Sequence, residues 1–280
     1  MSDPEPRTRR SWRTDAEWQR LRRRMDAHIE TAPPRRTWRY AAALAAASMV
    51  GVAGYLAVRS ASARPVEWHV VRTPAAGRAV LRLEDSTVVT LGPSSTLRYA
   101  FTSVRRDAVL DGLAEFKVTH DAERPFVVRA RNAETADLGT EFIVRAYQSD
   151  PMITVAVSSG AVRVSGPDST RGVTLHSGEV ATVDRAGLTS PAPSQSASGN
   201  ALWLQGELAF RNRPLGEVAE ELSRWFDIDM RVVDSVLARK RITATYAAPS
   251  LDGVLGSIAA TTGARVERNG RTIILRRGAR

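Results

Sequence analysis

The sequence predicts a mostly β protein with a small α+β domain at its C-terminal end, carried behind a basic N-terminal helix and one transmembrane helix. Three observations predict it. Positions 40–58, "YAAALAAASMVGVAGYLAV", hold no charge, in a chain of 280 residues and net charge +10. Positions 66–188 break into short β-branched runs ending at Gly, Pro, Asp or Ser, the mark of an all-β sandwich or roll. From position 204 onward the apolar period alternates between helix-like and strand-like.

The N-terminal piece, 1–38, reads as a short basic segment with an amphipathic helix at 14–30. Thr14 and Glu17 have the spacing of a capping box, in which each side chain satisfies a free N–H near the helix start. Trp18, Leu21, Met25 and Ile29 fall on one apolar stripe, and Pro33 and Pro34 stop the pattern. A lone helix of this length is marginal in water and cannot cover its own stripe. It is expected to dock on a protein groove or an acidic membrane surface.

A transmembrane helix is expected over 39–59. Nineteen helical residues rise about 28 Å, close to the ~30 Å hydrocarbon thickness. Arg35, Arg36 and Arg39 precede the run and Arg59 and Arg64 follow it, with Trp38, Tyr40 and Tyr55 near its ends. A soluble surface helix would show a polar face, and this run has none. "ASA" at 61–63 resembles a signal-peptide cleavage site, but the apolar run exceeds the usual ~7–15 residues of such peptides. Seven arginines lie in 20–39 and four in 59–78, so the positive-inside rule places the N-terminus in the cytoplasm. The C-terminal ~220 residues are then periplasmic in a cell with two membranes.

Charge is uneven along the chain. Residues 1–39 carry 11 arginines against 6 acidic residues, whereas 65–190 carry 14 basic and 15 acidic residues. The neutral middle region gives no basic face for nucleic acid. With no cysteine in the chain, disulfides, thiol catalysis and cysteine-bound metal are excluded. His28, His69, His120 and His176 are scattered without metal-ligand spacing, and no nucleophile accompanies the His120–Asp121 pair. No cofactor motif is found, and the chain reads as a non-enzyme.

Near ten strands are expected in 66–188. Phe116, Phe126 and Phe142 sit in apolar alternations and read as core. Gly139-Thr140 reads as a bulge or tight turn between strands rather than a phosphate loop, and Gly160 and Gly178 as hairpin turn residues. "TSPAPSQSASGNA" at 189–201 reads as a linker. The domain at 204–280 reads as β-α-β-β-α-β-β. Its first helix carries Leu215, Val218, Leu222, Trp225 and Phe226, with Pro214 suited to the first turn. The second helix runs from an N-cap at Ser250 to a stop at Gly263, and Asn269-Gly270 marks the closing hairpin.

"GRAVLRLEDSTVVTLGPSSTLRY", "RRDAVLDGLAEFKVTHDAERPFVVRARNAETADLGTEFIVRAY", "ITVAVSSGAVRV" and "LHSGEVATV" occur in this order. The ordered set resembles the FecR domain of transmembrane sigma-factor regulators over about 120 residues (a span read from the quoted motifs). Asp85-Ser86 stands where that family usually has Asp-Gly-Ser, which is expected to alter only a turn. The C-terminal domain, with "PLGEVAEEL" and "VLGSIAATTG", resembles the short N-terminal domain of secretins and TonB-dependent transducers.

The resemblance implies an anti-sigma-type regulator relaying a periplasmic signal to an extracytoplasmic-function sigma factor. Trp12, Trp18, Leu21, Met25 and Ile29 would bind the sigma factor. Leu208, Phe210, Leu215, Val218, Leu222 and Trp225 would meet the signalling domain of a TonB-dependent outer-membrane receptor. The 38 residues before the span are fewer than such cytoplasmic regions usually have. A membrane-tethered periplasmic binding or scaffold protein without sigma-factor control therefore stays open beside this reading.

Overall fold

The computed structural model describes residues 66–278, apart from 138, 167–171, 188 and 193–200, together with the isolated helical positions Gln19, Arg23 and Gly51. The expected helix at 14–30, the expected span at 39–59 and the five proposed sigma-binding side chains lie outside the described residues. Among the described residues, no helix is long and apolar enough to cross a membrane.

Thirteen strands form the β domain, more than the ten or so expected: β1 His69–Arg72, β2 Ala79–Arg82, β3 Val88–Leu91, β4 Thr96–Phe101, β5 Arg106–Lys117, β6 Phe126–Ala130, β7 Ala133–Asp137, β8 Glu141–Ala146, β9 Ile153–Ser159, β10 Ala161–Ser165, β11 Val173–His176, β12 Val180–Val183 and β13 Thr189–Ala192. They fold into two layers that share β5. One layer runs β1-β4-β5-β6-β7-β10-β11 and the other β2-β3-β5-β8-β9-β12-β13. All pairs are antiparallel except β5–β6.

The switch between layers is made within β5. Its first half, 106–111, pairs with β4, and its second half, 112–117, pairs with β8. Gly112 sits at the break with φ +124°, and a Cβ there would lie 2.3 Å from Ser95 Oγ. Only glycine fits both the backbone angle and the close approach. The two layers enclose one core, in which Phe126 from the first meets Phe116 from the second at 5.9 Å, and Phe116 stacks on Phe142 at 5.3 Å. All three rings are fully buried, as the alternation predicted.

Three turn expectations change. Gly160 (φ +86°) and Gly178 (φ +84°) have the left-handed backbone expected, but neither closes a hairpin. β9 pairs with β8 and β12, and β10 with β7 and β11, so Gly160 carries the chain from one layer to the other. Gly178 carries it back, from β11 to β12. A positive φ reverses the chain sharply without specifying which strand it returns to. The expected linker also begins later, because residues 189–192 form the edge strand β13 on β12. Pro191 is tolerated there because an edge strand needs no second ladder bond. Gly139-Thr140 does form a tight turn, with both N–H groups donating to Asp137 Oδ2 at 3.0 and 3.2 Å.

After a 3-10 turn at Leu202–Gln205 comes the C-terminal module: β14 Leu208–Pro214, α1 Leu215–Phe226, β15 Asp229–Val232, the one-turn α2 Ser235–Ala238, β16 Arg241–Tyr246, α3 Leu251–Thr262, β17 Ala264–Asn269 and β18 Thr272–Arg277. This is the expected order with α2 added. β14 pairs with β16, and β15, β18 and β17 form a second sheet in which β15 runs parallel to β18. Ser250 caps α3 by accepting from Gly253 N, and Gly263 ends it at φ +69°. Pro214 is the N-cap of α1, one residue before the first-turn position expected. The closing hairpin is also shifted by one: Asn269 pairs with Thr272, so Gly270 and Arg271 form the two-residue turn. Gly270 at φ +61° takes the first turn position, the glycine site of a type II′ turn.

Candidate functional site

Residues 66–280 form one compact unit, and Arg145, Tyr147, Glu221 and Arg224, whose titration is shifted, meet where the C-terminal module packs on the β domain. β8 is apolar on both faces for this reason. Phe142 and Val144 point into the β core, while Ile143 joins Leu113, Tyr147 and Trp203 in a second cluster against Trp225 of α1. A strand buried on both sides reads as a continuous apolar run, as Phe142-Ile143-Val144 does.

Arg145 interrupts that run and organises the joint. Its Nη1 and Nη2 donate to Glu221 Oε1 and Oε2 of α1 at 3.1 and 3.0 Å, a two-point contact matched to carboxylate geometry. Its Nε donates to Asp150 Oδ2 at 2.7 Å. Glu221 also pairs with Arg213, whose guanidinium reaches Glu217 at 3.3 Å. Arg224 lies over the Tyr147 ring at 4.0 Å and donates to Ser149 Oγ at 3.0 Å. The Tyr147 hydroxyl donates to the Pro93 carbonyl at 2.6 Å. Arg131 braces the turn that presents these groups, donating to the Tyr147 and Asp150 carbonyls at 3.1 and 2.7 Å.

Burial alone would raise the Glu221 carboxyl, but Arg145 and Arg213 outweigh it and hold the group below the ordinary carboxylate value. Burial would likewise weaken the Arg145 charge, and Glu221 and Asp150 outweigh that, holding Arg145 above the usual arginine value. Burial and the charge of Arg145 shift Arg224 downward. Tyr147 is raised by burial. The network is therefore ionised and nearly closed on itself. It ties α1 of the C-terminal module to β8 and the turn that follows it.

A second buried pair lies inside the β domain. Arg106, fully buried, donates through Nη1 to Asp85 Oδ2 at 2.6 Å and to the Thr119 carbonyl at 2.8 Å. Asp85 also accepts from the Thr87 N–H at 3.0 Å and from its hydroxyl at 2.7 Å, while Ser86 takes φ +70°. The turn at Asp85-Ser86 thus carries the partner of a buried arginine.

Five of the six side chains expected to face a transporter are instead the core of the C-terminal module. Leu208, Phe210, Leu215, Val218 and Leu222 are 0–1% exposed. The apolar stripe of α1 is turned to β14, β15 and β16 inside the module's own core, which leaves its side chains unavailable to a partner. Trp225, half-buried, packs between that core and the joint. His120 is exposed, and Asp121 is engaged with the Glu123 and Arg124 N–H groups and the Arg124 side chain. Among the described residues, no group of three or more His, Cys, Asp or Glu could hold a metal ion.

The joint was not foreseen from sequence. Arg145 and Glu221 are separated by 76 positions. The available signal was a charge in an otherwise apolar strand, together with glutamates spaced four apart on α1.

The chain belongs to the FecR family: residues 69–163 match the family model described as FecR protein, and residues 207–275 match that described as FecR, C-terminal. The joint connects these two matched regions. The module compared above with the short N-terminal domain of secretins is the region matched as FecR, C-terminal. Two solved structures of candidate anti-sigma factors from Parabacteroides distasonis share the fold. One is 30% identical, covering 75% of this chain and 100% of that chain with a TM-score of 0.68. The other is 29% identical, covering 76% and 100% with a TM-score of 0.68. No curated protein matches the chain.

Proposed function

We propose that this chain is a single-pass inner-membrane regulator of the anti-sigma type. Its N-terminus is cytoplasmic and its C-terminal ~220 residues periplasmic, following the arginine asymmetry around residues 39–59. The observation that carries the reading is the 30% identity, over that protein's whole solved chain, to a candidate anti-sigma factor. Trp12, Trp18, Leu21, Met25 and Ile29 form the sigma-factor surface. On the periplasmic side the partner is the signalling domain of a TonB-dependent outer-membrane receptor. With the α1 stripe buried, that contact falls to the free sheet edges of the C-terminal module, where strand addition uses unpaired main-chain groups. The chain works by binding, not by catalysis, and the Arg145–Glu221 joint makes the two periplasmic domains move as one body.

Capture of the full-length chain from detergent-solubilised host membranes tests this. Co-purification of an extracytoplasmic-function sigma factor, lost with Trp18→Ala and with Leu21→Ala, supports it. Capture without any sigma factor, from membranes that retain the chain, would replace it with the tethered-scaffold reading.

A further inference from the structure

We propose that the outward face of β1 rests on the bilayer surface, in contact with phospholipid headgroups. The proposal rests on the reading of residues 39–59 as a membrane span. β1 pairs with β4 alone among the described residues, so one of its edges is free. On one face Val71 packs on the β core, and His69, itself exposed, stacks on Tyr99 at 5.0 Å and lies 3.5 Å from Glu84. Val70 and Arg72 lie on the opposite face of β1, and Val66 and Trp68 just before the strand. Val66, Trp68 and Val70 are 48, 37 and 46% exposed, and Arg72 beyond them is exposed as well. Arg98 stands opposite Val70 on β4 and lies over the Trp68 ring at 5.3 Å. Neither Arg72 nor Arg98 forms an ion pair with a described residue.

This stripe joins two aliphatic side chains, an indole and two guanidinium groups. That is the chemistry of the headgroup zone, where indole rings partition and long basic side chains reach phosphate oxygens. Charge complementarity points the same way: residues 59–72 hold Arg59, Arg64 and Arg72 against the single acid Glu67, a balance suited to an anionic leaflet.

The covalent chain selects a bilayer over a second copy. Val66 follows Val58, the end of the apolar run, by eight residues, a reach of at most about 29 Å when fully extended. The stripe is therefore held beside the surface at high effective concentration, whereas another copy must find it by diffusion. Contact along β1 would give the β domain a fixed orientation on the membrane, with the joint and the C-terminal module carried on it.

Because the chain contains no cysteine, single cysteines can report on this directly. The full-length chain carrying Val70→Cys, or Val233→Cys as a control exposed by 55% in the C-terminal module, is labelled with an environment-sensitive fluorophore. It is then reconstituted into phosphatidylethanolamine–phosphatidylglycerol vesicles. Blue-shifted emission at position 70, quenched several-fold more by spin-labelled lipid than at position 233 and reduced by Trp68→Ser, supports the proposal. Water-like, unquenched emission at position 70 in a chain that resists carbonate extraction overturns it and leaves the span standing. Release by carbonate overturns both. Equal quenching at the two positions, or a blue shift that lipid does not quench and that accompanies position-70 cross-links between copies, also overturns it.

Discussion

Replacing Glu221 with glutamine removes one charge from the centre of the interdomain joint while keeping its shape. Arg145 and Arg213 both depend on that carboxylate, and the side chains of Arg145 and Glu221 are each 15% exposed. Removing one partner of a buried pair costs about 3–5 kcal/mol, since the other charge is left without compensation in a poorly solvated place. Arg145 retains Asp150 and Arg213 retains Glu217, which puts the expected cost at the lower end, about 3 kcal/mol. For a unit of this size that lowers the melting temperature by roughly 6–12 °C. Thermal and urea unfolding followed by tryptophan fluorescence suits the problem, because Trp203 and Trp225 both pack at the joint. A double-mutant cycle with Arg145→Met and Glu221→Leu isolates the pair, and a coupling of about 2 kcal/mol is expected. Costs below about 0.5 kcal/mol, the level of ordinary surface substitutions, or singles that simply add, would refute the idea that this network holds the domains together.

The lowered carboxyl of Glu221 has a pH consequence. A carboxylate held down in the folded state contributes stability above its unfolded pKa, and that contribution is lost as pH falls through the folded value. Unfolding free energy should therefore drop below the ordinary carboxylate range, and Glu221→Gln should flatten that part of the acid titration. Gly112→Ala should cost at least about 2 kcal/mol in urea unfolding, because an alanine there meets both a disfavoured backbone angle and Ser95. Gly270→Ala, with no atom within 4 Å of the added Cβ, carries only the backbone cost of about 1–2 kcal/mol. Arg106→Met should cost about 3–5 kcal/mol by leaving Asp85 buried without its cation, and Asp85→Asn in the same chain should recover part of that loss.

Local patterns were legible wherever local physics decides. The α3 boundaries follow from Ser250 and Gly263, whose cap geometry needs only neighbouring residues. The aromatic core followed from the apolar runs that hold Phe116, Phe126 and Phe142 in β5, β6 and β8. Long-range choices were not legible. Gly160 and Gly178 announced a reversal, but whether the chain returns to its own layer or crosses to the other depends on pairings made elsewhere. Amphipathicity of α1 located an apolar stripe without saying whether a partner or the protein's own sheets would cover it. The two buried ion pairs, 21 and 76 positions apart, leave no periodic trace. Only Arg145, a charge inside the apolar run of β8, hints at one of them.

The most direct measurement of sigma-factor control is transcript abundance in the native host after deletion of this gene, with restoration by the wild-type chain or by Trp18→Ala/Leu21→Ala. A discrete set of promoters of one extracytoplasmic-function sigma factor should change on deletion, return with the wild-type chain and fail to return with the double variant. An unchanged profile, or full restoration by the double variant, would contradict the assignment of residues 12–29 as the sigma-factor surface.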